Sequence, residues 1–192
     1  MNIKIKEVVA ESIATKQALL ADEQALGVVE QVVDACVAAF RNGKKVLFCG
    51  NGGSAADAQH LAGELSGRFY LDREPLFAEA MHVNTSFLTA VANDYSFEEA
   101  YARMVRAAGR EGDLLFALST SGNSANILAA IESAHRMGMA VVGMTGRRGG
   151  KMAAVCDFVL KVPSDNTPRI QECHILLGHI ICELVEAAIF GK

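Results

Sequence analysis

Two pairs of polar side chains and two loops rich in glycine and hydroxyls hold most of the chemistry this chain offers. The pairs are His60 with Glu64 and Gln171 with His179. Imidazole and carboxylate groups move protons and ligate divalent metals. His60 and Glu64 stand four apart on one helix face, where they could bind one metal, share a proton or pair at the surface. Gln171 and His179 are eight residues apart on one expected helix, an axial separation of about 12 Å. One straight helix does not readily bring both to the same ion. A site using all four would draw Gln171 and His179 from different protomers or from opposite sides, and would then require an oligomer.

The first loop, Cys49-Gly50-Asn51-Gly52-Gly53-Ser54, follows an apolar strand-like run and opens a helix-like one. Its glycines let backbone amides approach an anion, and Ser54 is placed to cap the helix. It is no nucleotide P-loop, because no Gly-Lys-Ser/Thr follows, and it lacks the GxGxxG dinucleotide spacing. The second loop, Ser119-Thr120-Ser121-Gly122-Asn123-Ser124, carries four hydroxyls in six residues. Several hydrogen bonds without fixed positive charge suit a phosphomonoester at a helix start.

These groups need a frame, and the hydropathy pattern supplies one. Leu26, Val29, Val32, Val33, Cys36, Val37 and Phe40 recur at three- and four-residue steps, predicting a helix that ends near Asn42-Gly43. An earlier helix is expected over Val8 to Leu20, covering the sheet or packing against a second subunit. From Lys45 short apolar runs alternate with helical pattern: Val46 to Cys49, Phe77 to Val83, Leu114 to Leu118, Ala140 to Met144 and Phe158 to Val162. Such alternation predicts an α/β fold, a parallel sheet with helices on both faces, whose ligands bind beyond the carboxyl ends of the strands. Ser96 to Glu99 matches a capping box for a helix from Phe97 to Ala108. The last helix is expected from Arg169 to Ile189, with Pro168 at its first turn.

Composition narrows the class further. With 192 residues, 51% of them hydrophobic, the chain buries a full core in one domain. A net charge of −4 without any Lys/Arg block argues against nucleic-acid or anionic-membrane surfaces and for small molecules or further copies of the chain as partners. Five cysteines without a CxxC pair read as reduced core thiols. No signal-peptide core is seen and no apolar stretch approaches the roughly 18 residues of a membrane span, so a cytoplasmic location is expected. His82, His135 and His174 are read as structural.

In combination, Cys49 to Ser54, His60 with Glu64, Asn93-Asp94, Ser119 to Ser124, and Arg169 to His174 followed by His179 resemble the sugar isomerase (SIS) family, in its phosphoheptose isomerase branch. Order and spacing hold over nearly the whole chain. The resemblance implies a SIS-type three-layer sandwich, with 1–43 as N-terminal helices and 44–192 as a five-stranded parallel sheet, its covering helices and the C-terminal helix. It implies conversion of sedoheptulose 7-phosphate to D-glycero-D-manno-heptose 7-phosphate, for bacterial heptose and lipopolysaccharide core, by a homotetramer with sites at subunit boundaries. Asn51, Gly52, Gly53, Glu64, Asn93, Asp94, Ser119, Thr120, Ser121, Ser124 and Gln171 would contact substrate. His60, Glu64, Gln171 and His179 would ligate zinc, one ion per subunit, and Glu64 and His179 would act as acid and base.

Some family members carry an acidic residue where this chain has Pro168. The competing reading is a non-catalytic branch of the same scaffold that binds the bacterial replication initiator protein. The presence of both Glu64 and His179 favours the enzyme.

Overall fold

The pattern change at Lys45 marks a change of structure. The computed structural model describes residues 2–191, and begins with two helices, α1 (Asn2–Leu20) and α2 (Glu23–Arg41). In α2 the valine stripe is buried, the Asp22 side chain accepts the Ala25 N–H at 3.0 Å, and Gly43 turns the chain out at φ 68°. α1 buries only Thr15 and Leu19 and leaves Ile3, Ile5, Val9 and Ile13 exposed. Polar bonds hold it instead. Arg169 reaches Glu172, Glu11 and the Val8 carbonyl, and Ser12 donates to Glu172 at 2.6 Å.

The rest alternates strand and helix: β1 (Val46–Gly50), α3 (Gly53–Ser66), β2 (Ala78–Ala80), α4 (Thr85–Asp94), α5 (Glu99–Ala108), β3 (Leu114–Leu118), α6 (Ala125–Arg136), β4 (Ala140–Thr145), β5 (Phe158–Lys161) and α7 (Thr167–Phe190). All four strand pairings are parallel, in the order β2-β1-β3-β4-β5. Side chains alternate across the sheet. Val46, Phe48, Phe116 and Leu118 face α2, α3 and α7, while Leu47, Cys49, Leu115 and Ala117 face α5 and α6. The result is the three-layer α/β sandwich with a five-stranded parallel sheet. Its order reverses between β1 and β3, which puts a ligand crevice at their C-terminal ends.

Several expectations are corrected. The run from Phe77 to Val83 yields only the three-residue β2, because this edge strand gives way to α4, whose first turn is capped by Asn84 accepting the Phe87 N–H. α5 starts at Glu99, two residues later than expected. Half of the capping box forms: Ser96 Oγ accepts the Glu99 N–H, while the Glu99 carboxylate turns to Arg106. α7, at 24 residues and a mean hydropathy of 1.7 over its most apolar window, is long and apolar enough to cross a membrane, which the sequence reading did not foresee. Here it packs along α2 and α3 and buries Arg169, His174 and Glu186.

Candidate active site

Both loops emerge at the switch point. Gly50 ends β1, where a Cβ would lie 2.5 Å from the Ser54 carbonyl oxygen, so the turn into α3 is open only to glycine. Gly52, at φ 56°, precedes α3 as its cap, and Ser54 is buried in the first turn rather than capping it. After β3, Gly122 adopts φ 65° with its Cα against the Gly149 carbonyl; a Cβ there would stand 2.1 Å from that oxygen. The Ser119 hydroxyl lies 3.0 Å from that of Ser124 and 3.4 Å from that of Ser121. Three hydroxyls therefore converge at the start of α6, where free N–H groups and the helix dipole favour an anion. Asn51 and Asn126 exchange two amide hydrogen bonds of 2.9 and 2.8 Å, which join the loops across the crevice.

Thr120 faces a neighbouring cavity of about 330 Å³, walled by Ser121, Asn123, Arg147, Arg148 and Asp165. The arginines were not singled out from the sequence. Their position directly after an apolar strand and before Gly149-Gly150 was the available signal.

The imidazole and carboxylate groups sit farther along α3, against α7. Gln171 lies on Gly53, His179 on His60 and Gly178 on Leu61, so the two helices run parallel. His60 Nε2 is 2.8 Å from His179 Nε2 and 3.1 Å from Glu64 Oε1. Two Nε2 atoms this close require one proton between them or a shared cation. The ligand atoms of His60, Glu64 and His179 all lie within 4.8 Å of one another. Two imidazoles and a carboxylate are a donor set that suits zinc with an open coordination position.

Gln171 does not join them within the chain, since its amide rests on the first turn of α3, about 10 Å of helix rise from His60. Asn93 and Asp94 bond each other at the exposed end of α4. Among the described residues neither hydrogen-bonds another expected site residue. His174 is structural as expected: fully buried, it meets the Thr145 carbonyl at 3.2 Å, and burial pushes its pKa down to about 4.

Three further residues escaped the sequence reading. The Glu186 carboxylate, buried under residues 67–77, accepts the N–H groups of Phe69, Tyr70 and Leu71 and the Nε–H of Arg73. Burial alone would raise its pKa, but those donors prevail and hold it at about 2. Phe69 sets its ring 5.8 Å from that of His179. A glutamate seven residues beyond His179, on the apolar face of the last helix between Val185 and Ala187, was the signal for Glu186.

A sandwich that reverses strand order over a serine bowl, with an imidazole pair and a carboxylate two turns along the adjoining helix, defines a sugar-phosphate-binding α/β protein of one kind. The SIS domain family model matches residues 9–146, and the chain belongs to that family. It is 53% identical to the phosphoheptose isomerase of Aneurinibacillus thermoaerophilus over 99% of this chain and 96% of that one. It is 55% identical to the phosphoheptose isomerase of Burkholderia pseudomallei over 96% and 93%. The solved phosphoheptose isomerase of Neisseria gonorrhoeae superposes with a TM-score of 0.91 at 43% identity, over 97% and 98% of the two chains. The chain is an enzyme of that isomerase class.

Proposed function

We propose that this chain converts sedoheptulose 7-phosphate to D-glycero-D-manno-heptose 7-phosphate, supplying bacterial heptose and lipopolysaccharide core synthesis. The observation that carries the proposal is the joining of Glu64 and His179 at one point, through His60, where α7 lies against the helix that starts at the phosphate-type loop. Relatives of this name, matched over nearly the full length, support it. None of these comparisons supports the initiator-binding alternative.

In this reading Ser119, Thr120, Ser121 and Ser124 hold the phosphate, and Asn51, Gly52, Gly53, Asn93, Asp94 and Gln171 orient the sugar chain. His179 removes a proton from C1 of the ketose, the C2 oxygen takes one up, and a cis-enediol forms. Glu64 moves the oxygen protons, stripping O1 as His179 returns its proton to C2, which leaves the aldehyde at C1. Atoms balance with no outside reagent. His60, Glu64 and His179, with Gln171 as a fourth ligand from a neighbouring protomer, would hold zinc, which when bound polarises the substrate oxygens.

The enzyme works, in this proposal, as a cytoplasmic homotetramer of one-domain subunits with sites at their boundaries. The uncovered Ile5, Val9 and Ile13 on one side of α1 support the assembly, and five free cysteines support a reducing compartment.

Turnover of sedoheptulose 7-phosphate by purified protein, with chelator and with zinc restored, tests the reading. Product is expected, with a fall on chelation and recovery with zinc. Chelator-resistant turnover would leave the proton steps to Glu64 and His179 alone, and no product in any state would overturn the assignment.

A further inference from the structure

Residues 67–77 run from the end of α3 to β2 without helix or strand, yet their placement is closely determined. Glu186 is 2% exposed, and its two carboxylate oxygens accept four N–H groups, all from this segment, at 2.7 to 2.9 Å. One donor is the Arg73 Nε–H; the Arg73 side chain is also only 2% exposed. Its Nη1 donates to the carbonyls of Leu65, Gly67 and Glu74, and its Nη2 to the carbonyl of Glu64 at 3.1 Å. One buried ion pair thus ties the end of α3, from Glu64 onward, to α7. The same carboxylate fixes the Phe69 N–H, and Phe69 lays its ring against His179.

We propose that Glu186 and Arg73 are positioning residues of the isomerase site, holding Glu64 through its own carbonyl and His179 through the Phe69 ring. A buried ion pair is a poor device for stability alone, since apolar side chains of similar volume fill such space as well or better. What it offers is direction: eight directed bonds fix the segment that leads out of α3, which carries Glu64, and lies against α7, which carries His179. The serine bowl lies at the opposite end of α3, so the clamp governs proton transfer and leaves phosphate binding untouched.

The inference rests on the proposed isomerase reading for its kinetic readout and on spectroscopy for an independent one. Glu186→Gln, Arg73→Lys, their double variant, Phe69→Leu and a control, Ile131→Ala on the opposite face of the sheet, are compared as full-length proteins below their melting temperatures. Glu186→Gln and Arg73→Lys are each expected to lower kcat about ten-fold with KM within about two-fold, as small misplacements of reacting groups do. The double variant should lose no more than the worse single one, because both break one unit.

Phe69→Leu, which leaves the ion pair intact, should lower kcat in the same way; it keeps the test decisive if a clamp variant does not fold. Ile131→Ala should lower the melting temperature with kcat unchanged. In histidine-ring NMR spectra, the His179 signals of both clamp variants should shift toward those of Phe69→Leu. Clamp variants that match the control in kcat and leave His179 unshifted would overturn the proposal. A wild-type protein that does not turn over sedoheptulose 7-phosphate overturns the functional reading instead, and the His179 signals still judge the clamp.

Discussion

The two ends of α3 are built by different means. At its start, the anion bowl is made of backbone turns closed by glycine: Gly50, Gly52 and Gly122 stand where a side chain would strike main-chain oxygen or demand a positive φ. Two turns on, the imidazole–carboxylate cluster is made of side chains from two helices, and exists only because α3 and α7 lie parallel in one register. The first end is local and stiff. The second depends on how two helices pack, so it is the end that a small change in distant contacts can disturb.

The sharpest way to test the contrast is to remove the groups proposed to move protons. Glu64→Gln and His179→Gln are each expected to cut kcat by a factor on the order of 10² to 10⁴ while substrate still binds, as measured by calorimetry with sedoheptulose 7-phosphate. Full turnover by both variants would mean the cluster is not the reacting end.

Packing comes next. A Cβ on Gly178 would stand 2.4 Å from both methyls of the buried Leu61, so Gly178→Ala should push the helices apart. A loss of about 1 to 3 kcal/mol from overpacking, partly offset by up to about 1 kcal/mol of helix propensity, is expected in denaturant unfolding, together with a clear fall in kcat. Unchanged kcat would show that the cluster does not depend on the register of α3 and α7.

The bowl should answer differently. Ser121→Ala or Ser124→Ala removes one donor, worth about 1 kcal/mol, so KM should rise roughly five-fold while kcat stays within about two-fold. A loss confined to kcat would place these hydroxyls at the reacting end.

The smallest effect is one of pH. His174, with its folded pKa lowered to about 4, binds its proton in the unfolded chain first, so it favours unfolding as pH falls from about 6.5 toward 4. Glu186, held at about 2, contributes stability above its unfolded value near 4.5 and loses it as pH falls toward 2. Denaturant midpoints should therefore decline across both windows on acidification. In a Glu186→Gln protein the decline below about pH 4.5 should flatten, while that above it persists.

Much of this molecule is readable in its residues, and the limits have physical causes. The bowl was legible because strand, glycine turn and helix cap are all local: Leu114 to Leu118 forms the expected strand and Ser119 to Ser124 opens the expected helix. The separation of Gln171 from His179 followed from helix rise, and the structure sets these two residues of α7 against different turns of α3. That His60 would meet His179 came only from the family resemblance, since no local pattern tells that α7 returns parallel to α3. Glu186 was missed because nothing in the sequence separates it from Glu172 and Glu183 on the same helix until the segment folding over it brings four donors. β2 was overread because Phe77 and Val83 look like strand residues but lie exposed at the edge of the sheet.

The span of α3 also has a meaning for selectivity. Its residues advance by about 1.5 Å each, so in the proposed reaction the interval from Gly53 to His60 would set a fixed reach between an anchored phosphate and the carbons being rearranged. In the proposed reaction the helix serves as a ruler for sugar length. Shorter sugar phosphates would seat their phosphate and present the wrong carbon, and a residue inserted in α3 would swing the far end round by a little over a quarter turn as well as lengthening the scale by about 1.5 Å.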